Sequence, residues 1–281
     1  MCIVFFVQNY KGYKLIVAGN RDEQFERKTD RIHFWPNTDI LGGTDTSMEL
    51  KSDIEEKIDP NQPNQKEYGT WMAMNKRGRY GFLTNVRNLQ AKQDKKSRGY
   101  LIHDFLKHEE ENVEDFLKQL ESSKSEYNGF NLVLGDQNGM YYIGNGYDGP
   151  IENKLKEGMV YGLTNGTLST QTKHTEWAKS KRGQDLFKEI IEGEYSKEEM
   201  ISRLFRMLED VGCDGGNLDQ ICVNTIQNKL GNYGTRTHTV IVVDAEQVHY
   251  EERESAGYRE YMKGVVSDDS CEDIVFQFEL V

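Results

Sequence analysis

The stretch CIVFFVQNYKGYKLIVAGNRDE, residues 2–23, decides how this chain folds. Cys2 to Gln8 reads as a continuous apolar strand. Asn9, Tyr10, Lys11 and Gly12 supply turn chemistry, and Tyr13 to Gly19 returns through Leu15, Ile16, Val17 and Ala18. Two such runs across one short turn make a β-hairpin. Neither run alternates apolar with polar, so both faces of this hairpin must be covered.

Further hairpins follow along the chain. Thr70 to Met74 pairs with Tyr80 to Val86 across a turn at Asn75–Gly78, and Gly129 to Leu134 pairs with Met140 to Ile143 across Asp136–Gly139. Val160 to Thr164, Thr237 to Asp244, Val248 to Glu252 and Ile274 to Glu279 add four more strands. Helices fall between them. Ser97 is placed to cap one that runs to about His108, with Leu101, Ile102, Phe105 and Leu106 on one stripe. Val113 to Leu120 gives a second, and Trp177 to Ile191 with Lys197 to Val211 gives a pair. Antiparallel hairpins interrupted by helices in pairs predict an α+β fold, a four-layer αββα sandwich of antiparallel sheets. One domain over residues 1–281 is expected, with a mobile acidic loop at about 45–67 and a weakly patterned loop at 212–233.

Composition narrows the function. A net charge of -12 argues against a phosphate backbone as partner, so no nucleic acid is expected. No run approaches the ~18 apolar residues of a membrane helix, so no integral membrane segment is expected. The opening run is too short for a signal peptide, which makes a cytoplasmic location the expectation. Cys2, Cys213, Cys222 and Cys271 form no C-x-x-C pair and are read as reduced thiols. The six histidines form no H-E-x-x-H, so no metal is expected. Gly144 to Gly149 spells G-x-G-x-x-G, but Pro150 follows and no helix opens, so it reads as a turn.

Two places carry candidate chemistry. Removal of Met1 would leave Cys2 with a thiol beside a free α-amino group, nucleophile and base in one residue. Against this, a cysteine is also a small hydrophobe that can simply begin a buried strand. Asn20, Arg21, Asp22 and Glu23 end the second apolar run abruptly, close to Cys2 in a hairpin register. Polar groups at a buried strand end need partners, either a ligand or an internal ion pair anchoring the hairpin.

The segments Met1–Phe6, Ala18–Glu23, Gly69–Trp71, Leu83–Asn85, Tyr127–Asn131, Tyr161–Asn165 and Gly234–Thr237 occur in that order over nearly the whole chain. Together they resemble the signature of the NRDE family, the group that includes the transport-and-Golgi-organization protein 2 family. That family in turn resembles N-terminal nucleophile hydrolases of the choloylglycine type. The resemblance implies Cys2 as nucleophile, Asp22 as the carboxylate holding its amine, Asn85 and Asn165 on the oxyanion side, and Arg236 near the thiolate. A working site of that kind should make Cys2 alkylate faster than the other three cysteines. The hydrolases carry an arginine three residues before the Asp, where this chain has Gly19. Arg21 is adjacent to Asp22 instead, so an extended strand should turn its side chain the other way.

What the resemblance implies about function divides. One branch is a carrier or chaperone handling haem or an acyl-CoA-like lipid and supporting secretory-pathway organisation, with association with mitochondria or Golgi. It would use Asn20, Arg21 and Glu23 as ligand-binding residues, with no cofactor and haem entering only as cargo. The other is an N-terminal cysteine amidohydrolase or acyl transferase acting on an amide or thioester. The displaced arginine inclines the reading toward the carrier.

Overall fold

The computed structural model describes residues 2–49, 68–86, 92, 94–108, 111–146, 154–166, 168, 178–212, 220–265 and 272–281. The chain opens with the expected hairpin, β1 (Ile3–Tyr10) and β2 (Tyr13–Gln24), paired with Ile3 opposite Asn20. Asn9, Lys11 and Gly12 all take positive φ at the turn. Next come β3 (Asp30–Phe34), β4 (Ile40–Glu49), the short β5 (Tyr68–Gly69), and the hairpin β6 (Met72–Asn75) and β7 (Tyr80–Asn85). Two helices follow, α1 (Gly99–Lys107) and α2 (Val113–Ser123), then β8 (Phe130–Asp136), β9 (Gly139–Gly144) and β10 (Tyr161–Leu163). The last third holds α3 (Ala178–Glu192), α4 (Lys197–Leu208), β11 (Ile226–Asn228), β12 (Gly231–Val243), β13 (Val248–Glu254), α5 (Ala256–Lys263) and β14 (Ile274–Phe278).

These strands form two antiparallel sheets. One runs β10-β1-β2-β12-β13-β14 with β11 on β12, and the other β3-β4-β6-β7-β8-β9 with β5 on β4. Side-chain parity builds the layers. Val4, Phe6, Leu15 and Val17 face Met72, Met74, Phe82 and Val133 of the opposite sheet, forming the core between the sheets. Ile3, Phe5, Ile16 and Ala18 point to the other face, against Phe187, Leu204 and Phe205 of α3 and α4. On the far side, Leu101, Ile102, Phe105 and Leu117 of α1 and α2 cover Ala73, Leu132 and Leu134. The result is the four-layer αββα sandwich. Close approach of α3 depends on Gly183, where a Cβ would lie 1.9 Å from the Phe5 ring.

Several expectations are corrected. Residues 45–49 are the end of β4 and Tyr68–Gly69 is β5, while the rest of the expected acidic loop, 50–67, lies outside the described residues. β3, β4, β11 and α5 were not foreseen, and α4 stops at Leu208 before Val211. Asn20–Glu23 do not end their strand. β2 continues through them because β12 pairs with it as far as Gln24. Ser97 is not the cap residue of α1: that position is Arg98, while the Ser97 hydroxyl accepts from the Gly99 N–H at 3.4 Å and its carbonyl from the Tyr100 N–H at 3.2 Å. The Gly144–Gly149 turn, Trp177, Cys213 and Cys271 lie wholly or partly outside the described residues.

Candidate functional site

Where β1 begins, the layer between the sheets opens into a cavity of about 220 Å³. Parity decides what enters it. Cys2 follows Val4 and Phe6 onto the inner face, while Arg21 and Glu23 follow Leu15 and Val17. Extending the β1 registers, one step toward β2 and two toward β10, sets Cys2 between Arg21 on β2 and Asn165 just past β10. Trp71, Leu83 and Asn85 of the other sheet form the opposite wall, and Ser97, Arg98 and Gly99 at the start of α1 close the end. That helix end comes close because Gly99 packs on Gly69, where a Cβ would lie 2.5 Å from the Gly69 Cα. Arg27 and Asp45 also line the cavity, joined by a 2.7 Å ion pair.

Arg21 is the unusual member. It is only 7% exposed, and its guanidinium sits over the Trp71 ring at 4.0 Å from the centroid. Among the described residues it has no hydrogen-bond or ion-pair partner. Burial lowers its pKa and the nearby Arg236 adds to this, while Glu23 works against it. Arg98 is likewise pulled down by burial and by Arg27, and held up by Glu23. One of its nitrogens donates to the Gly129 carbonyl at 3.0 Å.

Cys2 is half-buried. Burial pushes its thiol up, and although a hydrogen bond from the Asp22 backbone and the charge of Arg21 pull back, the balance remains upward. Burial thus opposes formation of a thiolate at Cys2. Cys222, behind the sheet, is raised to about 11, chiefly by burial.

The other expected residues separate. Asn85 lines the cavity. Asn165 donates its amide to the Asn85 carbonyl and is buried behind it. Asp22 borders the cavity, but its carboxylate is engaged on the helix side, accepting from Thr235 Oγ1 at 2.6 Å. Burial raises its pKa, opposed by the charge of Lys179 and by the Thr235 bond. Asn20 shares that face and donates to the Leu208 and Ile221 carbonyls at 2.8 and 2.9 Å, so it anchors α4 and is not among the residues lining the cavity. Arg236 is not beside the thiol. It is the extra residue of a β-bulge between Thr235 and Thr237, which turns its guanidinium toward Tyr258 and away from the cavity. Arg21 does face away from Asp22, as expected, yet it shares the inner face with position 19. The displaced arginine thus still reaches Cys2. Residue reasoning missed Arg27, Arg98 and Trp71; the Gly69–Trp71 segment was a visible signal, but nothing tied it to Arg21.

Two antiparallel sheets packed face to face between helix layers, with a cavity opening between them at Cys2, define the class, a four-layer αββα sandwich protein. Within that class, residues 1–256 match the model of the family described as Transport and Golgi organisation 2, and the chain belongs to this family. It is 32% identical over 271 residues to the Transport and Golgi organization 2 homolog of Mus musculus, spanning 87% of this chain and 89% of that protein. It is 26% identical over 288 residues to Transport and Golgi organization protein 2 of Drosophila melanogaster, spanning 92% and 93%. Among solved structures it is similar to a Caenorhabditis elegans ortholog of N-acylethanolamine-hydrolyzing acid amidase, at 14% identity and a TM-score of 0.44 over 85% of this chain and 92% of that one. A variant of the conjugated bile acid hydrolase from Clostridium perfringens gives 9% identity and a TM-score of 0.43 over 99% and 97%.

Proposed function

We propose that this protein is a carrier for an anionic amphiphile, haem or an acyl-CoA-like lipid, whose acidic group docks on Arg21. The observation that carries the reading is the buried guanidinium of Arg21, stacked on Trp71 and without a hydrogen-bond or ion-pair partner among the described residues. A buried cation without an acceptor is costly, and an incoming carboxylate or phosphate relieves that cost with charge-assisted hydrogen bonds. The carboxylates are directed elsewhere: Asp45 pairs with Arg27, and Asp22 accepts from Thr235 on the helix side. The family name, Transport and Golgi organisation, supports a role in secretory-pathway organisation, and the proposal extends to a cytoplasmic protein associated with mitochondria or Golgi.

A second reading, a cysteine amidohydrolase or acyl transferase, is favoured by one feature: Cys2 and Asn85 face the same cavity. Calorimetric titration with palmitoyl-CoA and haemin, run beside a thioester and amide hydrolysis assay, separates the two. For a carrier, Cys2→Ala changes affinity by at most about tenfold, because one small contact is worth about 1 kcal/mol, and the wild type shows no turnover. Axial ligation of haem by Cys2 would appear as a changed Soret band. Turnover that vanishes in Cys2→Ala overturns the carrier; absence of binding by both probes rejects these cargoes.

A further inference from the structure

Arg236 is buried, 4% exposed, yet no part of it lines the cavity. Its Nη1 donates to the carbonyls of Gln24 at 3.3 Å and Arg27 at 2.5 Å, and its Nη2 to the Tyr258 hydroxyl at 2.6 Å. The guanidinium also stacks over the Tyr258 ring at 4.4 Å. It therefore grips both ends of the turn that follows β2. Phe25 of that turn is buried edge-on against Tyr258, and Glu26 accepts from the Asn232 backbone and side chain. Arg27 alone turns to the cavity, where it meets Asp45. α5 is fastened to the same bulge, since the Ser255 N–H donates to the Arg236 carbonyl at 2.8 Å and Ser255 Oγ caps the helix by accepting from the Tyr258 N–H.

We infer that Arg236, held by Tyr258 of α5, is a positioning residue that keeps Arg27 at the rim of the cavity and so sets the positive potential around Cys2. A single half-buried ion pair such as Arg27–Asp45 does not by itself fix the Arg27 backbone. The place of Arg27 is fixed by its backbone, and the fork that ties that backbone to α5 is Arg236. Lysine cannot replace that fork, because it has neither the planar pair of donors nor the stacking face. The inference does not depend on the carrier reading, since the Cys2 thiol itself reports the potential.

The test compares alkylation of Cys2 in the full chain by iodoacetate, an anion, and by iodoacetamide, which is neutral. Both rates are taken at pH 9 by peptide mass mapping and expressed as a ratio against free cysteine. Arg27→Ala should lower the ratio about three- to tenfold, the order expected for removing one charge from the cavity rim at intermediate dielectric. Arg236→Lys and Arg236→Gln should lower it by a similar factor, Tyr258→Phe by less, and Arg236→Lys should add nothing on top of Arg27→Ala. Circular dichroism and the ratio at Cys222 should not change. If the Gln variant does not fold, the Lys and Phe variants decide. An unchanged ratio in Arg236→Lys, or in Arg27→Ala, overturns the inference. So does an equal further loss when the two substitutions are combined.

Discussion

The guanidinium of Arg21 and the indole of Trp71 lie in contact across the two sheets, 4.0 Å from guanidinium carbon to ring centroid. Arg21 comes from β2 and Trp71 from the residue just before β6, so the pair bridges the layers at the open end of the core. Stacking satisfies one face of the cation and leaves its N–H edges for an acceptor in the cavity. The pair is thus a wall of the site and, in the carrier reading, its anchor for an anion.

Loss of that anchor should be measurable. Arg21→Ala should weaken binding of palmitoyl-CoA or haemin by about 10- to 100-fold, the range for hydrogen bonds to a charged group. Arg21→Lys should recover only part of this, because the bidentate fork and the stacking face are gone. Titration calorimetry reads both variants, and a loss under about threefold in Arg21→Ala removes Arg21 as the anchor.

The thiols give a pH signature. Burial raises both Cys2 and Cys222, the latter to about 11. Iodoacetamide should therefore alkylate Cys2 at pH 7.5 more slowly than it does a free cysteine peptide, with the rate climbing in the alkaline range, since the thiolate is the nucleophile. Cys222 should reach its midpoint near 11. Stopped time courses with mass mapping check this. Rapid labelling of Cys2 at neutral pH would instead support the hydrolase reading.

His238 should make the fold acid-sensitive. It is buried, its Nδ1 lies 2.7 Å from Asn20 Oδ1, and its pKa is lowered to about 3 by burial and then by Arg259 and Arg253. A folded-state pKa below the unfolded one means that the unfolded chain takes up the proton first. The stability this neutral histidine contributes is complete above about pH 6.5 and declines as pH falls toward 3, by about 1.4 kcal/mol per pH unit. Urea unfolding at pH 7, 6, 5 and 4 should show a shallower decline in His238→Gln. Asn20→Ala, which strands the Leu208 and Ile221 carbonyls, should cost about 2–4 kcal/mol at every pH. Parallel stability profiles for wild type and His238→Gln would rule out this histidine as the source.

Much of the frame was legible because local patterns fixed it. The run from Cys2 to Glu23 read as a doubly covered hairpin, and alternation alone puts Cys2, Arg21 and Glu23 on one face and Asn20 and Asp22 on the other. Strict use of that alternation would have kept Asn20 out of the ligand group. β4 was not legible: Gly42, Gly43 and Asp45 look like loop residues. They suit a strand only because Ala73 lies where a Gly42 Cβ would go, 2.6 Å away, and Trp71 crowds Gly43 at 2.7 Å. Nothing near those glycines in sequence announces such neighbours.

By itself, then, the sequence determined the hairpins, the αββα layering they require, the family, and the side of the sheet on which each residue of β1 and β2 falls. Those properties depend on the period of the chain and the burial of apolar runs, which act over a few residues. Only the tertiary structure decided that Trp71 and Arg98 complete the cavity, that burial opposes ionisation of the Cys2 thiol, and that Arg236 turns to Tyr258. Each depends on which groups from distant segments meet, on the water they exclude, and on a single bulged residue in β12. No local pattern encodes those quantities.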